Sequence, residues 1–328
     1  MTNVTACRAL GAAEVASTAQ LACLLEASAP KPGNVSPGRH FADARYEDFL
    51  ASAVAIGAPL AGAGSQGVGA TVRLAVEATA QWTRSNTNLG IVLLLAPIAR
   101  AALPEKGDGS HFRAQEKGDG HLFPGPEMRP VPFFGSLREA LRRVLEATTV
   151  EDASQVYAAI RRAAPGGLGR AAAQDVAEEP TVTLLDAMRL AADRDLVARE
   201  YATAFEVTFG TGAPALDRAR RAGLSWDDAI VETFLTLLAA NPDTHVARRG
   251  GATLAADISK QARVALASGG VASASGRRAI DDLDRRIRDS RHTANPGTTA
   301  DLTAAAIFVV LLGGGWSAGE GGRDAASR

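Results

Sequence analysis

The chain has 328 residues, a formal net charge of -1 and 22% charged residues. That length buries a large core, as one big domain or two smaller ones, and the near-neutral balance leaves no electrostatic footprint for nucleic acid or an acidic membrane. Aromatics are only 5% while alanine and glycine abound, a composition that favours close-packed helices over strands.

The N-terminal residues lack a basic stretch followed by an apolar one, so no signal peptide is expected. The two cysteines, Cys7 and Cys23, form no CxxC and read as reduced, buried thiols of a cytoplasmic protein. A first helix is expected over 9–28, ending before Pro30-Lys31-Pro32-Gly33. A second spans 46–56 and stops near Gly57-Ala58-Pro59. A glycine-rich link over 62–69 leads to a helix over about 70–83. Ser85-Asn86-Thr87 reads as an N-cap cluster for an apolar helix over 88–102.

Residues 104–136 differ in kind. Glu105-Lys106-Gly107-Asp108-Gly109 recurs as Glu116-Lys117-Gly118-Asp119-Gly120, and each copy is closely followed by a histidine, His111 or His121. The spacing matches no metal-ligand pattern, and the composition is that of a solvated, flexible insertion. Helical pattern resumes over 137–147 and 151–163. Pro165-Gly166-Gly167-Leu168-Gly169-Arg170 is a glycine loop without the Gly-Lys-Ser/Thr of a Walker A motif. One or two helices are expected over 181–209, another over 226–240 capped by Ser225, and further ones over 252–267 and 277–289. The apolar runs 89–102 and 302–312 are too short to span a bilayer and read as buried core helices. With no alternating or β-branched run long enough for a parallel sheet, the expected fold is all-α: one bundle-like domain over 1–328, with a polar site formed by helix ends and loops.

The polar breaks between helices are chemically alike. Lys31-Pro32-Gly33-Asn34 offers a cation on a rigid turn. Asn86-Thr87-Asn88 offers amides and a hydroxyl at a helix start. Asp243-Thr244-His245, followed by Arg248-Arg249-Gly250-Gly251, offers a carboxylate, an imidazole and guanidiniums. Asn295-Pro296-Gly297-Thr298-Thr299-Ala300-Asp301 is a turn, then hydroxyl caps, then a first helical turn carrying a carboxylate. A helix N-terminus with free N–H groups is an anion site, and Asp301 either stabilises that end or holds a metal beside a phosphate. Gathered at one end of a bundle, these groups make a polyphosphate site.

The ordered set resembles the triphosphoribosyl-dephospho-CoA synthase family. That family carries Lys-Pro-Gly, then Gly-x-His with an Asp, Asn-Thr-His-Lys-Gly, Asp-Thr-Asn followed by Arg-Gly-Gly, and Pro-Gly-Gly-x-Ala-Asp. The counterparts here are Lys31-Pro32-Gly33, Gly38-Arg39-His40 with Asp43, Asn86-Thr87-Asn88-Leu89-Gly90, Asp243-Thr244-His245 with Arg249-Gly250-Gly251, and Pro296 to Asp301. The family's His-Lys pair is Asn88-Leu89 here, and Asp-Thr-Asn has become Asp-Thr-His. Lys-Pro-Gly-Asn-Val, Asn-Thr-Asn-Leu-Gly, Pro-Gly-Gly-Leu-Gly and Asn-Pro-Gly-Thr-Thr-Ala-Asp-Leu are similar to a divergent branch in archaea and methylotrophic bacteria.

The resemblance implies an all-helical transferase. It would move the triphosphoribosyl group of ATP to the 2′-hydroxyl of 3′-dephospho-CoA and release adenine. ATP and dephospho-CoA, or a related small acceptor, are the implied partners and Mg²⁺ the implied metal; neither nucleic acid nor a membrane is expected, and a homo-oligomer is compatible. Displacement at an anomeric carbon needs a carboxylate, a base and an acid. On this reading Lys31 and Arg249, with Arg248, neutralise phosphates, and Asp243 and Asp301 hold Mg²⁺ or flank the ribose. Asp43 or His40 accepts the proton, and His245 serves as an acid near adenine. Asn86, Asn88, Asn295, Thr298 and Thr299 fix ribose and phosphate oxygens, while His292 is a hydrogen-bonded loop residue. A related ATP-dependent enzyme with another acceptor, for instance in pterin-type C1-carrier synthesis, and a non-catalytic nucleotide-binding helical protein are the alternatives.

Overall fold

A computed structural model describes residues 10–103, 132–289 and 292–317. Cys7, His111, His121 and most of the expected insertion lie outside the described residues. The helices are α1 (Ala12–Ser28), α2 (Tyr46–Ala55), α3 (Gly57–Ala61), α4 (Val68–Thr79), α5 (Leu89–Ala102), α6 (Pro132–Glu146) and α7 (Val150–Ala163). They continue as α8 (Leu184–Ala191), α9 (Leu196–Ala202), α10 (Ala213–Arg221), α11 (Trp226–Ala240), α12 (Thr244–Gly250), α13 (Ala252–Ala267), α14 (Ala274–Ile287) and α15 (Gly297–Leu312). Among the described residues the only β pairing is an isolated bridge between Ser36 and Arg39.

α15 is the axis of the molecule. Every residue from Leu302 to Leu312 is buried, so the helix is apolar all round, as an interior helix must be. It packs on α1, α5, α10 and α11. α5 is buried from Ile91 to Ala99; Pro97 sits nine residues in, and the last backbone bond re-forms from Leu103 N to the Arg100 carbonyl, 3.4 Å. Around this pair α4 packs on α7 and α6 on α5. A second apolar cluster joins α11, α13 and α14 through Phe234, Leu238, Ile258, Ala262 and Leu283. Cys23 is buried in the first cluster, where desolvation pushes its thiol pKa up and keeps it protonated.

Most boundaries follow local chemistry. Ser225 caps α11 by accepting from Asp228 N. Thr149 and Asp152 form a capping box at α7. Departures have local causes too. The link 62–69 is largely helical, because Gly62–Ser65 winds as a tight turn between α3 and α4. Residues 132–136 belong to α6 instead of the insertion. The stretch 181–209 is broken between α8 and α9, where Asp195 caps α9 through Val197 N and Ala198 N. α3, α10 and α12 had no forecast, and α3 falls at Gly57-Ala58-Pro59, where the second helix was expected to stop. The run 46–65, with 20 residues and a mean hydropathy of 1.2, is long and apolar enough to cross a membrane, but its Ser52, Ala53, Ile56, Leu60 and Ala63 are buried in this fold.

Phe308 is fully buried at the centre of α15. Phe308→Ala is expected to cost about 3–5 kcal/mol of stability, measured by urea unfolding.

Candidate functional site

The ends of α1, α5, α7, α8, α12 and α15 surround a cavity of about 920 Å³. One buried carboxylate organises its floor. Asp243 Oδ1 accepts from Val246 N at 2.9 Å and so caps α12. Its Oδ2 accepts from Thr299 N at 2.7 Å and Thr299 Oγ1 at 2.8 Å, in the first turn of α15. One carboxylate thus serves two helix N-termini, where a negative charge is favoured. Thr244 and Thr298, beside it, share a hydrogen bond of 3.1 Å between hydroxyls.

A relay of polar contacts joins this floor to the N-terminal turn. Asp284 of α14 accepts from Gly33 N at 2.7 Å and Arg39 Nη1 at 2.8 Å, and Arg288 donates to the Asn34 carbonyl at 2.7 Å. Asn34 Nδ2 donates to Asn295 Oδ1 at 2.6 Å. The Asn295 carbonyl lies 3.0 Å from His245 Nδ1. A carbonyl oxygen only accepts, so Nδ1 carries a proton, and in the neutral ring Nε2 is the acceptor. Burial holds the His245 pKa below its ordinary value, helped by Arg248 and Arg249 and opposed by the Asn295 bond and Asp243.

Asp301 lies one turn into α15 and lines the cavity. Burial, together with the carboxylates of Glu26, Asp243 and Asp195, holds its pKa well above the usual carboxylate range; Arg248 works against them. Its carboxylate rests on the first turn of α5, where a Cβ at Gly90 would overlap it. Glycine is therefore the residue that admits this close approach.

Of the residues singled out in the sequence, Asp43, Asn86, Asn88, His245, Arg249, Asn295, Thr298 and Asp301 line the cavity. Asn86 Oδ1 takes the Leu89 amide at 3.1 Å, and Asn88 Nδ2 donates to Thr79 Oγ1 at 3.0 Å, so both also build the start of α5. Lys31, His40, Asp243 and Thr299 do not line it. Lys31 is fully buried. Its ammonium pairs with Glu26 Oε1 at 3.0 Å and donates to the carbonyls of Glu26 and Ala29, closing the C-terminus of α1, where a cation is favoured. It is not presented to a phosphate. His40 sits at the surface and accepts from Tyr46 N at 3.1 Å, at the start of α2.

The shared metal expected at Asp243 and Asp301 does not fit either: both Asp243 oxygens are spent on caps, and among the described residues no group of three or more His, Cys, Asp or Glu side chains is arranged to hold an ion. Sequence reasoning missed Glu26 and Asp195, and the cavity arginines Arg84, Arg162, Arg170 and Arg194. The glycine loop that carries Arg170 was the available signal. His292 is the hydrogen-bonded loop residue expected, accepting from Ala42 N at 3.2 Å, but it also stacks on Phe41 at the cavity wall.

Comparison with known proteins gives one answer. The family model described as ATP:dephospho-CoA triphosphoribosyl transferase matches residues 12–320. A Pseudomonas putida protein named "Probable 2-(5''-triphosphoribosyl)-3'-dephosphocoenzyme-A synthase" is 38% identical over 117 residues, 35% of this chain and 41% of that protein. A Stutzerimonas stutzeri protein of the same name is 36% identical over 118 residues, 36% of this chain and 40% of its own. The match thus spans about two fifths of the length of these curated relatives. A solved structure from Archaeoglobus fulgidus, named "putative triphosphoribosyl-dephospho-coA synthase", superposes with a TM-score of 0.56 at 25% identity, over 80% of this chain and 97% of that one.

The two carboxylates are expected to differ in what they do for stability. Asp243→Ala strands three donors and costs about 2–4 kcal/mol. Asp301→Asn is neutral or stabilising at pH 7: the folded pKa is raised, so the wild-type penalty is absent below the unfolded value and grows as pH rises above it. Urea unfolding of both variants at pH 4 and pH 7 tests this.

Proposed function

The chain belongs to the ATP:dephospho-CoA triphosphoribosyl transferase family, and from that premise we propose that it moves the triphosphoribosyl group of ATP to the 2′-hydroxyl of 3′-dephospho-CoA and releases adenine. The family match over 12–320 carries this reading. The cavity supports it, since several arginines line it together with a half-buried carboxyl, Asp301, and a half-buried imidazole, His245.

The reaction breaks the bond from the ribose C1′ to the adenine nitrogen and forms one from C1′ to the acceptor oxygen. The acceptor hydroxyl gives up a proton and adenine takes one. His245, neutral with Nε2 unprotonated, suits the base better than the acid. Asp301, with its raised pKa, suits the acid that protonates departing adenine. After turnover His245 is protonated and Asp301 ionised, and exchange with water restores both. Arg249, Arg248 and Arg162 offer the triphosphate its countercharge. Asn86, Asn88 and Thr298 remain as partners for ribose and phosphate oxygens, and Asp43 is an exposed carboxylate of the lining. Magnesium enters this reading as part of the ATP substrate, since among the described residues no set of ligands is arranged for a resident ion; Mg²⁺ typically keeps phosphates and waters as most of its ligands.

Purified protein incubated with MgATP and dephospho-CoA should release adenine, followed by chromatography, only when both are present. Release without dephospho-CoA, or none at all, would overturn the reading. The rate should rise with pH as His245 loses its proton below its ordinary 6.5 and fall as Asp301 ionises well above 3.8. His245→Asn should lower kcat by about 10²–10⁴ and remove the acid limb, while Asp301→Asn should remove the alkaline limb.

A further inference from the structure

Part of the cavity lining is apolar, and these apolar side chains have no part in the roles above. α7 contributes Val156, Tyr157 and Ile160 to it, and α8 contributes Leu184, Met188 and Leu190. Leu190 is 53% exposed and Leu168, in the glycine loop, 45% exposed, yet both line the cavity. A large apolar side chain exposed inside a concave site awaits a partner, in a way that a lone surface leucine does not.

The loop is built to present Leu168. Its flanking residues Gly167 and Gly169 have φ of +77° and +67°, a left-handed backbone that folds the chain back on either side of the leucine. The loop lies against α12: a Cβ at Gly167 would stand 3.5 Å from the Arg248 carbonyl oxygen and 3.6 Å from Arg249 Cγ. The apolar lining is therefore continuous with the α12 arginines. Arg170 ends the same loop, Arg194 lies between α8 and α9, and both are exposed along the cavity wall.

An apolar wall flanked by arginines fits a diphosphate that bears an uncharged, flexible arm. The inference rests on the reading above, in which both substrates are nucleotides. ATP carries nothing beyond its phosphates. The acceptor is an adenosine diphosphate extended by a long amide-and-thiol chain. We propose that Leu168, Leu190, Met188 and Tyr157 form a subsite for that chain, with Arg170 and Arg194 on the acceptor's diphosphate. The cavity, about 920 Å³, is at the upper end of small-molecule sites and leaves room for a second nucleotide. Truncating the leucines removes apolar contact from one substrate alone.

The test is calorimetric binding of dephospho-CoA, ADP and ATP to the wild type and to the double variant L168A/L190A. ADP is the acceptor's diphosphate nucleotide without the arm. The variant should bind dephospho-CoA about 10-fold or more weakly, with ADP and ATP within twofold of wild type. Equal weakening of all three, or no change in any, would overturn the subsite. A second variant, R170A/R194A, should weaken dephospho-CoA and ADP together, and loss of neither would remove the arginines from the proposal. Both leucines are exposed, and an unchanged unfolding midpoint confirms that the fold survives. Wild-type binding of dephospho-CoA without adenine release would sink the catalytic reading and leave the subsite standing. No wild-type binding of dephospho-CoA would overturn the subsite itself.

Discussion

The fold and the site both depend on where Asp243 puts its two oxygens. Burying a carboxylate is costly unless its lone pairs are filled. Here three donors fill them, from the first turns of α12 and α15. α15 belongs to the larger apolar cluster, while α12 packs on α13 of the second. The carboxylate therefore pins the two clusters together at one point, behind the helix starts whose His245 and Thr298 line the cavity. Hydrophobic contact is non-directional; the hydrogen-bonded carboxylate sets the register between the two helix starts.

From this pin the remaining polar residues divide into those that hold and those that face the cavity. Lys31, Asp284, Arg288 and Asn34 tie the N-terminal turn to α1 and α14. Asn295 uses its side chain on Asn34 and its carbonyl on His245, so the turn before α15 fixes the orientation of the imidazole. Asp301 is left without such support. It lies against Gly90 among other carboxylates, and its charge is disfavoured there. A group kept away from its ordinary protonation state by its surroundings is more informative about chemistry than one that is satisfied.

The helical class, and the positions of α11 and α13, were legible in the sequence because period, caps and glycine breaks agree there. The polar breaks were legible as a set. Which of them face the cavity was not. Asp243 and Thr299 are 56 positions apart, and nothing in Asp-Thr-His announces that its carboxylate is a cap for a distant helix. Lys31 reads as an exposed cation until the end of α1 is seen beneath it. α12 escaped notice because seven residues ending in Gly250 have little periodicity to detect. Arg162, Arg170 and Arg194 were passed over because charges at helix ends and in loops are usually solvated.

The placement of charge in the cavity bears on how the proposed reaction would leave the triphosphate intact. Arg162 lies in the last turn of α7 and Arg170 and Arg194 in the segments that follow α7 and α8, while Arg248 and Arg249 share α12 with His245 and Asp301 stands near the start of α15. His245 and Asp301 lie on adjoining helix starts pinned by one carboxylate. In the proposed reaction the bond that breaks is at C1′, and the phosphates lie at the far side of the ribose from it. Among the cavity arginines only Arg248 and Arg249 share an element with a proton-transfer group, and a guanidinium cannot itself act as the base. Arginine also clamps phosphate oxygens bidentately without offering a base to activate water. In the proposed reaction, phosphates held by guanidiniums are held by groups that do not promote their hydrolysis, which favours transfer of the whole triphosphoribosyl group.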